Sequence, residues 1–248
     1  MTKKRIRKGK TEFIVDLGSI EEEKFWTSYE NDDWETQALK FLQGNIQGGY
    51  FLDIGSWIGP VTLLMAKHYE KVIAVDLDPV ANERFAINVG LNNLKNIDHY
   101  NIGLGHKTEE IEINADKLGS SLTSIFESTS SNKIKVKIVR FVEFISKLPN
   151  HEKIKFIKID CEGAEYTFLS QVYKYIHGKN ILVIISYHPW VLKKSKYYFS
   201  KLYHWLKQLT FKRYYFNKDD SILVKQSYQP LFFKGGEKFP MADIIQSD

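Results

Sequence analysis

The residues whose types and spacing could do chemistry sit at the ends of apolar runs. Ile154-Lys-Phe-Ile-Lys-Ile-Asp160 leads into Cys161-Glu162-Gly163-Ala164-Glu165, and strand alternation sends Asp160 and Glu162 to one side and Cys161 to the other, into packing. Two carboxylates together at a strand end are costly unless a cation, a metal or a shared proton lies between them. Glu162 and Glu165 could instead sit in the first turn of the next helix and stabilise its positive end, which accounts for Glu165 but not for Asp160. A lone histidine is more often structural, but the apolar run Asn180-Ile-Leu-Val-Ile-Ile-Ser-Tyr-His188 would in a parallel sheet bring His188 to the same edge as Asp53, Asp76 and Asp160, and four polar strand ends on one rim make a pocket. Asp160, Glu162 and His188 are therefore the candidate catalytic residues. The same three could hold a divalent metal, since hard oxygen ligands with one imidazole suit magnesium or manganese.

A second constellation is Tyr50-Phe-Leu-Asp-Ile-Gly-Ser-Trp-Ile-Gly59, a buried strand that breaks at Gly55 and turns through Gly59 into an apolar helix over 60–68. Such a turn offers free backbone N–H groups at the carboxyl edge of a parallel sheet. A dinucleotide fingerprint would need glycines where Trp57 and Pro60 stand, so that ligand is disfavoured. The carboxylate of Asp53 suits a cationic ligand instead, and S-adenosylmethionine, with its sulfonium and amino group, is one. The next run, Lys71-Val-Ile-Ala-Val-Asp76, ends in an acid about 20 residues past the turn, where a ribose-binding carboxylate belongs. Asp76 and Asp78 could alternatively cap the helix starting at Pro79; with the glycine turn alongside, the ribose reading leads. The candidate cofactor-binding residues are Asp53, Gly55, Ser56, Trp57, Gly59, Asp76 and Leu77.

The elements that must position these groups alternate between strand and helix. Helices are expected over 21–29 and 33–43, the second capped by Asp32 or Asp33, with Trp34 and Glu35 over the ligand pocket. A helix over 80–91, a strand over 97–102, a break at 103–106 and half-exposed strands over 110–114 and 133–139 follow, then helices over 141–148 and 166–177. The Ser/Thr-rich segment 119–132 is a loop whose place after the third strand suits closure over cofactor or substrate. Beyond His188 a helix over 194–209 and a closing hairpin over 213–217 and 221–225 are expected, with no structure assigned from Gln229 on.

A length of 248 residues with 43% apolar content allows one sizeable core, read as a single domain over 21–248 after a basic extension over 1–20. No run is long enough to span a bilayer and the start lacks a signal-peptide centre. The single cysteine, Cys161, excludes an internal disulfide, and these facts together fit a cytoplasmic protein. Lys3, Lys4, Arg5, Arg7, Lys8 and Lys10 crowd the amino terminus, either as a solvated disordered tail, the commoner case, or as a phosphate contact. The basic, aromatic stretch Lys193 to Tyr215 could stack on bases or sugars, although helical spacing makes core packing the usual role of such rings.

These motifs resemble the FkbM family of S-adenosylmethionine-dependent methyltransferases. The resemblance rests on Phe51 to Gly59, Val72 to Pro79, Gly119 to Leu122 and above all Ile157-Lys-Ile-Asp-Cys-Glu-Gly-Ala-Glu165, and covers residues 34–190. It implies an α/β, Rossmann-like class I fold with a seven-stranded, mostly parallel sheet and helices on both faces. It also implies O-methylation of a hydroxyl on a sugar, a glycan or a natural-product precursor, so that a small-molecule or glycan acceptor is the expected partner. An RNA methyltransferase using the basic and aromatic segments is the alternative, disfavoured because no Pro-Pro-Tyr type of strand end is present. A cofactor-binding module without turnover is a third reading, opposed by the presence of Asp160, Glu162 and His188 together.

Overall fold

Tyr50–Ile54 is buried at every position, and pleat alternation explains how both faces of one strand are covered. Tyr50, Leu52 and Ile54 join a cluster completed by the helices at 141–147 and 165–176, while Phe51 joins a second cluster built from the helices at 20–30, 36–44 and 60–65. The computed structural model that shows this describes residues 2–126, 131–176, 179–186, 188, 222–226 and 229–232. The stretch Lys193 to Tyr215, with its expected helix and its expected strand at 213–217, lies outside the described residues.

In chain order the elements are β1 (Lys3–Lys8), β2 (Thr11–Asp16), α1 (Ile20–Glu30), α2 (Thr36–Gly44), β3 (Tyr50–Ile54), α3 (Pro60–Met65), β4 (Lys71–Asp76), α4 (Pro79–Leu91) and β5 (Ile97–Asn101). They continue with β6 (Gly103–Gly105), β7 (Glu109–Asn114), β8 (Lys133–Arg140), α5 (Phe141–Lys147), β9 (Ile154–Ile159), α6 (Glu165–Ile176), β10 (Leu182–Ser186), β11 (Ile222–Gln226) and β12 (Gln229–Phe232). Five parallel strands, in the order β10-β9-β3-β4-β5, form the centre of the main sheet. Beside β10, β11 pairs antiparallel, and β12 pairs antiparallel with β11, so the second strand of this ribbon lies where no structure was expected. Among the described residues no helix is long and apolar enough to cross a membrane.

Three elements depart from the sequence expectations. The basic amino terminus is a strand rather than a tail: β1 pairs antiparallel with β2, and Ile6, Phe13 and Val15 are buried with Trp26 and Tyr29. Four of its six cations find carboxylates within the same region, Lys4 at Glu30 (3.2 Å), Arg5 and Arg7 both at Glu12 (3.3 and 2.5 Å) and Lys8 at Asp32 (2.6 Å). Gly103–Gly105, expected as a break, pairs with β8 because bare glycines let Ile138 lie against the backbone, where a Cβ on Gly103 would fall 2.4 Å from Ile138 Cδ1. The cap of α2 is neither Asp32 nor Asp33 but Glu35, in the left-handed region at φ 40° and without a side-chain capping bond.

Gly55 joins the two chemically interesting strands. Its φ is +79°, and a Cβ there would sit 1.6 Å from the carbonyl oxygen of Asp160, so β3 ends in contact with the end of β9. We expect Gly55→Ala to cost more than about 2 kcal/mol in urea unfolding, the left-handed penalty alone being about 1–2 kcal/mol. Gly44→Ala is the control. It lies at the end of α2 with nothing within 4 Å of the added methyl, and should be neutral or stabilising by up to about 1 kcal/mol. Equal losses for the two would refute the close-approach argument.

Candidate active site

The glycine turn is fastened to the neighbouring strand through its own backbone. Gly55 N and Ser56 N donate to Val75 O (2.8 and 3.2 Å), and Trp57 N donates to Asp76 Oδ2 (2.8 Å) with Trp57 at φ 46°. The two aspartates that sequence left undivided take different work. Asp78 caps α4, its Oδ1 accepting from Val80 N and Ala81 N (2.8 and 3.0 Å), while its Oδ2 accepts from Gly119 N (2.6 Å) and Thr123 Oγ1 (2.8 Å). Asp76 remains half-buried at the strand end, each carboxylate oxygen accepting one backbone N–H, from Trp57 and from Asp78 (2.9 Å). A carboxylate oxygen has capacity beyond a single donor, so Asp76 fits a ribose diol.

The Ser/Thr-rich loop closes over this edge. Besides its bonds to Asp78, Gly119 O accepts from Trp57 Nε1 (2.9 Å), and Ser124 Oγ donates to Glu162 O (2.7 Å). One loop therefore ties the turn, the end of β4 and the acids after β9 together. Ring contacts run from Trp57 to Phe25 (4.5 Å) and from Phe25 on to Trp34 (5.2 Å).

Beneath the turn lies a buried ion cluster. Asp53 and Lys158 are register partners on β3 and β9, and Lys158 Nζ lies 3.6 Å from Asp53 Oδ1, 3.3 Å from Asp160 Oδ2 and 3.2 Å from Gly55 O. Asp53 is fully buried and also accepts from Thr62 Oγ1 (2.6 Å). Burial raises the Asp53 pKa against the pull of Lys158 and Thr62. For Lys158 and Asp160 burial opposes the charges, yet their mutual attraction wins, keeping the ammonium raised and the Asp160 carboxyl lowered.

His188 joins the outer end of this cluster. Its Nε2 lies 3.6 Å from Asp160 Oδ1 and 3.4 Å from Glu162 Oε1, and its Nδ1 lies 3.1 Å from Glu165 Oε1. Glu165 is fully buried, accepts from Gly163 N (2.8 Å) through its other oxygen and takes the His188 backbone N–H (3.1 Å). Glu162 adopts φ 49°, a conformation non-glycine residues seldom take, and ligand atoms of Asp160, Glu162 and His188 lie within 4.8 Å of one another. Burial disfavours the imidazolium, but the surrounding carboxylates more than offset it, and the His188 pKa is raised well above its ordinary value.

Residues 53–213, well over half of the chain, match the family described as the methyltransferase FkbM domain. The chain belongs to the FkbM methyltransferase family. A curated relative, Methyltransferase 1 of Beauveria bassiana, is 23% identical in an alignment of 141 positions that covers 48% of this chain and 57% of the relative. Among solved structures, the FkbM methyltransferase of Methylobacillus flagellatus KT is similar at 20% identity and TM-score 0.41, covering 67% of this chain and 40% of that one. A precorrin-6y C5,15-methyltransferase from Geobacter metallireducens GS-15 is similar at 11% identity and TM-score 0.41, covering 76% and 75%. The chain thus spans little more than half of the curated relative and less than half of the bacterial FkbM structure.

In this FkbM domain the structure brings Gly55, Ser56, Trp57, Gly59 and Asp76 together in one turn, and Asp160, Glu162 and His188 together beside it. Ser56 is buried and its hydroxyl has no hydrogen-bond partner among the described residues. Asp53 is turned inward onto Thr62 and Lys158, and the Leu77 side chain packs with Ile113 and Val136 instead of facing the turn. Sequence reasoning missed Lys158, whose signal was a lysine on the same side of the strand as Asp160, one pleat before it. It also read Glu165 as a helix-end charge, whereas its oxygens hold His188 and Gly163.

Two measurements follow from this electrostatic arrangement. Burial first, with the nearby Asp78 charge, pushes the Asp76 carboxyl up to about 6 against its backbone donors and Lys158. Only the ionised form is purely an acceptor, so affinity for S-adenosylhomocysteine should hold steady above about pH 7 and fall as pH drops through about 6. Asp76→Asn should flatten that titration; a wild-type affinity unchanged from about pH 8 to 5 would exclude Asp76 as the ribose ligand. Lys158→Met strips the buried acids of their cation and should cost about 3–5 kcal/mol of stability, part of which Asp53→Asn restores in the double variant if the two are coupled.

Proposed function

We propose that the protein is an S-adenosylmethionine-dependent O-methyltransferase that acts on a hydroxyl of a sugar, a glycan or a natural-product precursor. The observation that carries this reading is the contact between the two halves of the site. Gly55 of the cofactor turn abuts the Asp160 carbonyl, and Asp160, Glu162 and His188 stand on that same edge. Bound S-adenosylmethionine supplies an electrophilic methyl group. What the chain must add is position for the acceptor oxygen and a destination for its proton. On this reading Asp76 and the turn backbone hold the nucleoside, with Ser56 and Trp57 lining it and Asp53 acting from beneath through Lys158 rather than by contact. Asp160 and Glu162 orient the acceptor hydroxyl, and His188, held by Glu165, accepts its proton once free of its own.

A second version of the same chemistry has its own observation. Nδ1 of His188 is held by a buried carboxylate while Nε2 faces Asp160 and Glu162, the arrangement in which an imidazole serves a metal. Magnesium or manganese at Asp160, Glu162 and His188 would take the place of the proton and lower the pKa of the acceptor hydroxyl. We count β11 and β12 as the sixth and seventh strands of a class I methyltransferase sheet, in one domain that takes in the β1–β2 hairpin instead of starting at residue 21, with a cytoplasmic location. RNA is the less favoured acceptor because the sequence has no Pro-Pro-Tyr type of strand end.

The test is transfer of labelled methyl from S-adenosylmethionine to nucleotide sugars, sugar phosphates and glycans, with total RNA alongside, each with and without a chelator. Label in a carbohydrate hydroxyl is the expected result, and its loss with chelator, restored by magnesium or manganese, selects the metal version. Label confined to RNA would replace this substrate class. His188→Ala should lower kcat by about 10²–10⁴-fold with cofactor affinity retained; near-normal turnover would remove the histidine from both versions.

A further inference from the structure

The amino-terminal hairpin lies before the family-matched stretch, yet through Tyr29 and Asn88 it is linked to the carbonyls on either side of Gly59 in the glycine turn. Lys8 is 4% exposed, pairs with Asp32 Oδ1 at 2.6 Å, donates to Tyr29 O and lies 4.8 Å from the centre of the Tyr29 ring. The hydroxyl of the fully buried Tyr29 donates to Pro60 O at 3.0 Å. A second relay runs from β2: Asp16 N donates to Asn88 Oδ1 (2.9 Å), and Asn88 Nδ2 donates to Ile58 O (3.0 Å). Asn88 is itself fully buried, and both ends of its amide are engaged, so reversing it would break both bonds. Ile58 and Pro60 flank Gly59, the residue whose φ of +96° sets the direction of the turn.

A hairpin that only sealed the core would need no more than Ile6, Phe13 and Val15. Burying an ammonium adds little net stability even when it is paired, but it does restrict geometry. We propose that the β1–β2 hairpin is a positioning element of the cofactor site, holding the glycine turn through Lys8–Tyr29–Pro60 and Asp16–Asn88–Ile58. This rests on the reading of that turn as the S-adenosylmethionine site. A loosened turn would mis-aim the backbone that ends in Trp57 N on Asp76, so binding of the nucleoside weakens before the fold does.

The experiment uses the full chain with S-adenosylhomocysteine as the probe and no acceptor. Tyr29→Phe removes one hydroxyl without changing the ring, and Lys8→Met removes the buried cation at similar length. Each should weaken binding about three- to ten-fold by calorimetry, the effect of one lost hydrogen bond. Each should also speed amide hydrogen exchange across residues 55–59 in the free protein. Thr11→Val is the structural control: it removes the 2.9 Å contact of Thr11 Oγ1 with His68 Nε2 from the same hairpin, and although Thr11 lies opposite Lys8 across the strands, its hydroxyl serves neither relay. It should lower Tm with affinity unchanged. If both relay variants bind as the wild type does while Tm falls as in Thr11→Val, the hairpin is structural only and the proposal is wrong. A wild-type chain that binds no S-adenosylhomocysteine would instead remove the cofactor reading, and the hairpin's role with it.

Discussion

One ammonium, Lys158 Nζ, holds the centre of this molecule together. It sits on β9 opposite Asp53 of β3, with Asp160 two residues further along the same side, and bonds the carbonyl of Gly55. Because strand neighbours of equal parity face one way, the register of two central strands decides that one cation meets both acids and the turn. A slip of one residue would turn Lys158 into the cluster of α5 and α6 and leave Asp53 buried without a counter-charge. The acidic strand end and the glycine turn are thus two sides of one electrostatic unit.

That unit is short of positive charge. Four carboxylates, those of Asp53, Asp160, Glu162 and Glu165, surround one ammonium and one imidazole. In a low-dielectric setting such a deficit keeps protons on the groups that can hold them, which is why the His188 pKa rises despite burial. It also makes the edge receptive to a cation from outside, be it a sulfonium, an amino group or a metal. The charge pattern agrees with the chemistry proposed for the family without selecting the acceptor.

Closure of the edge depends on polar bonds from a segment with little hydrophobic content. Gly119, Thr123 and Ser124 bind Asp78, Trp57 and Glu162 from one loop, and Thr123 and Ser124 are buried although their composition reads as loop. Phe25 packs edge-on against the Trp57 ring and is itself met edge-on by Trp34. The Trp57 ring thus meets both the hydrogen-bonding loop and an aromatic neighbour, while Asp76 stays half-buried.

Much of this was legible in the chain. Tyr50–Ile54, Lys71–Asp76 and Ile154–Ile159 are apolar runs bounded by glycine or acid, and a strand buried on both faces leaves that pattern. The parallel arrangement follows from strands that alternate with helices, and it places Asp76, Asp160 and His188 on one edge. What sequence left open turned on contacts between distant residues. Asp76 and Asp78 look alike until the loop at 119–123 and the backbone of Trp57 choose between them. Glu165 looks like a helix-end charge until β10 delivers His188 onto it, and a run of six basic residues looks like a tail until it pairs with β2 and four of them meet Glu12, Glu30 and Asp32. Local pattern and propensity determined the strands, the turn and the order of the acids, because those depend on near neighbours. Which charge answers which was decided only in three dimensions, because Coulomb and hydrogen-bond partners are selected by distance in space and by burial.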